Sequence, residues 1–199
     1  MSAAPKRKMT AAEYLEIERA AEFKSEFYDG VMYPLHRGPD GMAGASSSHN
    51  RVKENLIGEM FSQLKGSPCS SYSSDQRVQL TPTGMFAYPD IVIVCGKSEF
   101  DAEVGDILLN PKVVFEVLSP STEKYDRGFK FAQYQLQPTL MEYVLVAQDS
   151  VRIELFVRQP DNTWLLTNFT DLSEPFSLKT VPVSIPVADV YRGIDFTGT

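Results

Sequence analysis

Two carboxylates and one lysine carry most of the chemistry this chain could do. Asp90 stands at the mouth of the apolar run Ile91 to Val94, and Glu116 lies inside the run Val113 to Leu118. An acid among Val, Phe and Leu is costly to bury without a partner. If the two runs pair as strands, both acids converge on one point. Hard oxygen donors that leave room for several waters suit Mg²⁺, with Mn²⁺ as its substitute. The backbone carbonyl of Val117 would complete the protein's share of ligands. Lys130 follows in a helix-like segment, four residues after Asp126 and four before Tyr134, so the three share one helix face. An ammonium aimed at such a site orients an attacking water or stabilises charge on a pentavalent phosphorus. A divalent ion there lowers the pKa of bound water and polarises a phosphoryl oxygen.

Each residue also has a plainer use. Asp90 follows a proline and can cap a turn. Glu116 could form a structural salt bridge with Lys112 or Lys130. Asp126 and Lys130 could be an exposed i,i+4 pair. His49, at a helix start, fits a capping or surface histidine. Glu26 can be the polar face of a hairpin arm. Ser119-Pro120-Ser121-Thr122 could meet a phosphate at a helix start or simply cap it. Tyr125, Phe129 and Phe131 read as core.

The elements that must position these residues are legible from local pattern. Thr10 with Glu13 forms a capping box ahead of a helix from about Thr10 to Ala21, with Tyr14, Leu15 and Ile17 as its apolar stripe. Asp29-Gly30 predicts a hairpin turn whose first arm carries Glu26. Residues Arg37 to Ser48 read as a mobile loop. Ser46 to Ser48 can cap a second helix whose buried face is Val52, Leu56, Ile57, Met60, Phe61 and Leu64, with Lys65-Gly66 as its stop. Strands follow over Ser70 to Leu80 and Phe86 to Cys95, then an acidic connector from Lys97 to Asn110. Lys112 to Leu118 has the continuous apolar character of a strand covered on both faces. Thr122 can cap a helix to about Gln137. Leu140 to Ala147, Val151 to Arg158 and Trp164 to Phe169 form a C-terminal meander, and an extended tail from Pro175 to Pro186 precedes one helical turn at Val187 to Tyr191.

The whole is a mixed α/β pattern without strict βαβ alternation. The 199 residues, 43% hydrophobic and 23% charged, predict a single soluble domain over 1–199, with residues 1–9 as a flexible tail. No run reaches the roughly 20 apolar residues of a membrane span, and no h-region marks a signal peptide. The two cysteines show no zinc spacing; Cys95 reads as a buried free thiol, a disulfide is possible but not indicated, and a cytoplasmic location is the default. A net charge of −7 runs against the basic footprint of most nucleic-acid binders.

At YPDIVIV, FEVLSPSTEKYDRGFKFAQY and EYVLV the sequence resembles the Uma-two family, a large bacterial group of restriction-endonuclease-like proteins within the PD-(D/E)XK nuclease superfamily. The resemblance runs from MTAAEYLEIE and EFYDG to VRIELFVR. It implies a restriction-endonuclease-like fold, with a mixed central sheet flanked by helices. Pro89-Asp90 matches the PD half and Glu116-Val117-Leu118 the E-x-K half, with Leu118 at the usual lysine position. The resemblance suggests that Lys130 supplies the ammonium from the next helix, with Lys124 as the other candidate. Glu26 matches an acidic position near the metal site. Val31 stands where the family usually carries an acid after the glycine. His49 matches a histidine at the corresponding helix start.

The expectation is therefore a Mg²⁺-dependent endonuclease acting on nucleic acid, DNA foremost. Asp90 and Glu116 would be ligands, Lys130 the electrostatic catalyst and Glu26 an accessory acid, with Asp126 and Tyr134 positioning Lys130. The alternatives are a catalytically silent nuclease fold that serves as a binding or assembly module, and a small-molecule phosphohydrolase with a closed pocket. Exposed meander strands make a homodimer plausible.

Overall fold

The computed structural model describes residues 8–35, 45–81, 84–103 and 105–196. The loop expected from Arg37 falls largely outside these residues.

Helix α1 (Ala11–Ala20) starts on the expected capping box, with Thr10 and Glu13 bonded reciprocally. It buries Tyr14 and Leu15, whereas Ile17 is exposed. Strands β1 (Ser25–Tyr28) and β2 (Val31–Pro34) form the hairpin. Asp29 and Gly30 both take positive φ, 47° and 79°, which suits the right-handed strand twist. A Cβ at Gly30 would collide with the Lys8 side chain. Lys8 and Met9, counted in the expected tail, are held to this turn: Lys8 pairs with Asp29, and the Met9 N–H donates to the Gly30 carbonyl at 3.1 Å.

Helix α2 (Ser47–Leu64) is capped by the Ser46 hydroxyl, which accepts from the His49 N–H. Its buried row is Val52, Leu56, Met60 and Leu64, spaced four apart and contributing about 2 kcal/mol each by area. Phe61, expected in that face, is 76% exposed, because it lies one residue, roughly 100°, round from Met60.

Two expected strands are each divided between two sheets. Ser70 to Leu80 becomes β3 (Cys69–Ser73) and β4 (Arg77–Thr81), separated by a turn closed by Gln76 N–H to Ser73 O. Phe86 to Cys95 becomes β5 (Met85–Ala87) and β6 (Ile91–Cys95). The second break falls on Tyr88-Pro89-Asp90, where proline has no N–H to give a ladder. The connector contributes β7 (Ile107–Leu108). Strand β8 (Val113–Leu118) is buried at every residue. Strands β9 (Glu142–Ala147), β10 (Ile153–Arg158) and β11 (Trp164–Phe169) form the meander, and β12 (Pro175–Ser177) pairs with β13 (Ser184–Pro186). One sheet runs β2-β1-β5-β4-β7, the other β11-β10-β9-β8-β6-β3.

The segment after β8 is helical in three parts: α3 (Glu123–Tyr125), a π turn (Asp126–Lys130) and α4 (Phe131–Tyr134). Thr122 makes no side-chain cap; the Ser119 hydroxyl accepts from the Thr122 N–H instead. A last short helix, α5 (Val187–Val190), sits where one turn was expected.

The free-thiol reading of Cys95 is overturned. Cys69 and Cys95 are direct partners across β3 and β6 and form a disulfide. Their pairing is a matter of strand register, which has no local sequence signature.

Candidate active site

The site lies where the two sheets meet. Strand β6 runs antiparallel to β8, with Ile91 opposite Phe115. Asp90, just ahead of β6, is thereby carried to the end of β8, and its Oδ2 accepts from the Val117 N–H at 2.9 Å. Glu116 on β8 is 4% exposed. From the other sheet, β1 presents Glu26, 3% exposed.

Lys130 joins them. Its Nζ lies 2.8 Å from Glu116 Oε1, 2.9 Å from Glu26 Oε1 and 3.7 Å from Asp126 Oδ1. The π turn buries Asp126 and Lys130 together; such turns occur often at functional sites. Tyr134, one turn on, donates its hydroxyl to Glu116 Oε1 at 3.1 Å. Lys124, the other lysine candidate, is exposed and borders a shallow open depression with Pro120, Glu123, Arg127 and Gly128. Leu118 is buried in β8.

The electrostatics are unbalanced. Burial pushes the Glu116 carboxyl well above the usual carboxylate range, Lys130 pulls it back, and Asp126 and Asp90 add to the rise. Burial likewise raises Asp126 against the pull of Lys130. Burial acts against the Lys130 ammonium, yet Glu116 and Glu26 outweigh it and hold the group firmly protonated. One cation therefore serves three carboxylates. Asp90 behaves differently. Burial opposes its charge, but hydrogen bonds from His49 and the Val117 N–H keep its pKa low.

Two residues join the cluster that local pattern did not assign to it. His49 Nε2 stands 3.3 Å from Asp90 Oδ1, so the helix-start histidine faces inward. Tyr125, read as core, donates its hydroxyl to Glu26 Oε2 at 2.9 Å. A histidine at a helix start and an aromatic beside Phe129 both have sufficient local explanations, so local pattern placed neither in the cluster; only the family resemblance had marked the position of His49. The Ser119 to Thr122 hydroxyls bond to one another and form a turn.

The donor set fits a hard divalent ion that keeps most of its waters. Among the described residues no group of three or more His, Cys, Asp or Glu side chains converges as a metal cage. Asp90 and Glu116 offer two carboxylates, and the excess of acid over Lys130 is charge that a cation would relieve. Glu26 Oε1, buried and near Lys130, receives no well-formed hydrogen bond. Two carboxylates plus water and substrate oxygens is the arrangement Mg²⁺ accepts and Zn²⁺ does not favour.

The chain is also similar to known proteins. The model of the Uma2 family, described as "Putative restriction endonuclease", matches residues 11–188. Two uncharacterized Synechocystis proteins are similar along most of their length. One, slr1290, is 35% identical over 193 residues, covering 97% of this chain and 96% of its own. The other, sll1609, is 34% identical over 159 residues, covering 80% and 86%. The fold resembles the crystal structure of a putative nuclease of the DUF820 group from Anabaena variabilis. The TM-score is 0.71 at 15% identity, over 92% of this chain and 97% of that one.

Proposed function

The chain belongs to the Uma2 family of restriction-endonuclease-like proteins, and from that membership and the geometry of the cluster we propose a Mg²⁺-dependent endonuclease that hydrolyses phosphodiester bonds in nucleic acid, DNA foremost. The observation that carries this reading is the Lys130 ammonium, 2.8 Å from Glu116 on the strand paired with the one Asp90 precedes. A purely structural lysine needs one carboxylate partner; this one faces three.

Asp90 and Glu116 would hold the ion, with the Val117 carbonyl completing the set. When bound, a divalent ion supplies a low-pKa water and polarises the phosphoryl oxygen. The chain's own groups do the rest. His49 and the Val117 N–H hold Asp90 from its two oxygens, so the carboxylate is ionised and fixed in orientation. Glu26 and Asp126 keep the Lys130 stem aligned, and Tyr134 holds Glu116. Lys130 then presents a fixed positive charge where negative charge gathers on phosphorus, in a site too dry to screen it.

The test is isothermal titration of Mg²⁺ and Mn²⁺ into wild type and Glu116→Ala, followed by cleavage of labelled oligonucleotides. Binding in wild type that is lost in the variant, with cleavage abolished in Asp90→Ala and Glu116→Ala, is the expected result. Undiminished cleavage in both variants sinks the assignment.

A silent nuclease fold used for binding or assembly is the second reading. It is favoured by Leu118 at the place where the superfamily pattern puts lysine and by the net charge of −7. Absence of ion binding in wild type, with oligonucleotide present or not, selects it.

A further inference from the structure

The hairpin that supplies Glu26 carries a second set of side chains on the same face. In its register Glu26 opposes Tyr33 and Tyr28 opposes Val31, and directly opposed residues project to one side of a sheet. The π turn adds Phe129. Its ring meets Tyr28 edge-on, with centroids 4.6 Å apart, and stacks on Tyr125 at 5.7 Å with planes 24° apart. Tyr125 is the residue whose hydroxyl holds Glu26. An aromatic strip thus starts one contact from the carboxylate that touches Lys130 and runs outward along the hairpin.

Part of this strip is open to solvent. Phe129 is 37% exposed, Tyr33 36% and Val31 46%, whereas Phe131, two residues along the helix, is 9% exposed and buried against Tyr143, Phe156 and Trp164. The core already has its aromatic anchors; Phe129 is held in place by two rings and left uncovered on one side. None of the strip's residues is cationic, and the chain has 26 acidic against 19 basic residues. Duplex binders draw much of their affinity from phosphate contacts by lysine and arginine, and the strip's own residues supply none. The face of an unpaired base is a different target. It stacks on aromatic side chains with little regard to sequence.

Resting on the phosphodiesterase reading, we propose that Tyr28, Phe129 and Tyr33 form a stacking platform for an unpaired nucleobase beside the scissile phosphate, so that the substrate class is single-stranded nucleic acid and not duplex. Ring contacts fix Tyr28 and Phe129 before substrate arrives, strand register sets Tyr33 opposite Glu26, and the junction with Glu26 sets the register between a stacked base and the Asp90–Glu116 pair.

The experiment uses a short oligonucleotide carrying 2-aminopurine, as single-stranded DNA, single-stranded RNA and DNA duplex, titrated into full-length protein without divalent ion. The protein is wild type, Phe129→Ala, Phe129→Trp or Tyr33→Ala, each checked for folding by circular dichroism. Quenching should show at least one single strand bound about 10-fold more tightly than duplex, with the tighter arm naming the sugar. Phe129→Ala should weaken that binding by about 10-fold or more, with Phe129→Trp retaining it. Tyr33→Ala, on an exposed strand, reads the same loss should Phe129→Ala unfold. Duplex bound as well as either strand, or affinity unchanged in Phe129→Ala and Tyr33→Ala, overturns the platform. Cleavage with Mg²⁺ or Mn²⁺ is scored separately. Phe129-dependent binding without any cleavage upholds the platform and removes the phosphodiesterase reading. Cleavage of duplex and single strand alike, indifferent to Phe129, does the reverse.

Discussion

Glu116 and Glu142 sit on adjacent parallel strands, β8 and β9, both almost wholly out of water, and they are kept there by opposite means. Glu142 is met by the bend between β12 and β13. The Lys179 N–H donates to both its oxygens, and the Thr180 N–H and hydroxyl donate to Oε1 at 2.6 and 2.5 Å. Every donor is local to one turn, so the carboxylate acts as a staple for the C-terminal hairpin. Glu116 has one hydrogen bond from Tyr134 and one shared ammonium, with Asp90 and Asp126 close enough to oppose its charge. A buried acid satisfied by backbone donors is architecture. One left short of donors among other acids stores a charge deficit, and that deficit is what a cation or a phosphoryl group can use.

The largest effect expected from this contrast is on activity. Glu116→Gln should lower cleavage by about 10²–10³-fold while leaving the urea midpoint at pH 7 equal to wild type or higher, since a repelled buried charge is removed. A large drop in midpoint would make Glu116 a staple like Glu142.

Lys130→Met should be costly to the fold, by about 3–5 kcal/mol, because it leaves buried carboxylates without a cation. Its pH dependence has a definite sign. A carboxyl whose folded pKa lies above its unfolded value holds protons the unfolded chain has released. Stability therefore falls as pH rises from the ordinary value of 4.5 toward the folded pKa. Denaturation of the variant between pH 5 and 8 should show a steeper fall than wild type; a flat profile would mean the carboxylates are solvated after all.

Glu142→Gln makes the same chemical change as Glu116→Gln and should cost about 2 kcal/mol, with cleavage per folded molecule unaltered. Equal destabilisation of both Gln variants would erase the distinction between the sites.

The smallest effect concerns a third buried acid, Glu18, which accepts from the Ser25 N–H and the Tyr88 hydroxyl, with Arg77 Nε donating to that same hydroxyl. Burial pushes the Tyr88 phenol up to about 12. Above pH 10 the unfolded chain loses that proton while the fold keeps it, so wild-type stability should decline between pH 10 and 12. Tyr88→Phe should cost about 1 kcal/mol at pH 7 and lose that part of the alkaline slope. An unchanged slope would exclude Tyr88 as its source.

Much of this molecule was determined by sequence alone. The Thr10–Glu13 cap, the Asp29-Gly30 hairpin, the buried β8 and the meander follow from short-range steric and hydrogen-bonding preferences, which a few neighbouring residues set. Asp90 and Glu116 stood out because a charge in or beside an apolar run needs a partner, and Lys130 because its spacing puts it on one helix face with Asp126 and Tyr134. Yet Glu142 sits at the mouth of EYVLVA much as Asp90 does before IVIVC, and the local pattern does not tell the two apart. Only the tertiary structure decided that Glu142 meets backbone donors and Asp90 meets His49. It also decided that Cys69 lies opposite Cys95, that Pro89 sends the chain from one sheet to the other, and that Tyr125 turns its hydroxyl to Glu26. These are matters of register and of contacts distant in sequence: His49 and Asp90 are 41 residues apart, Tyr125 and Glu26 99. Local propensity says that a buried charge needs a partner, but which group arrives depends on how separate elements pack.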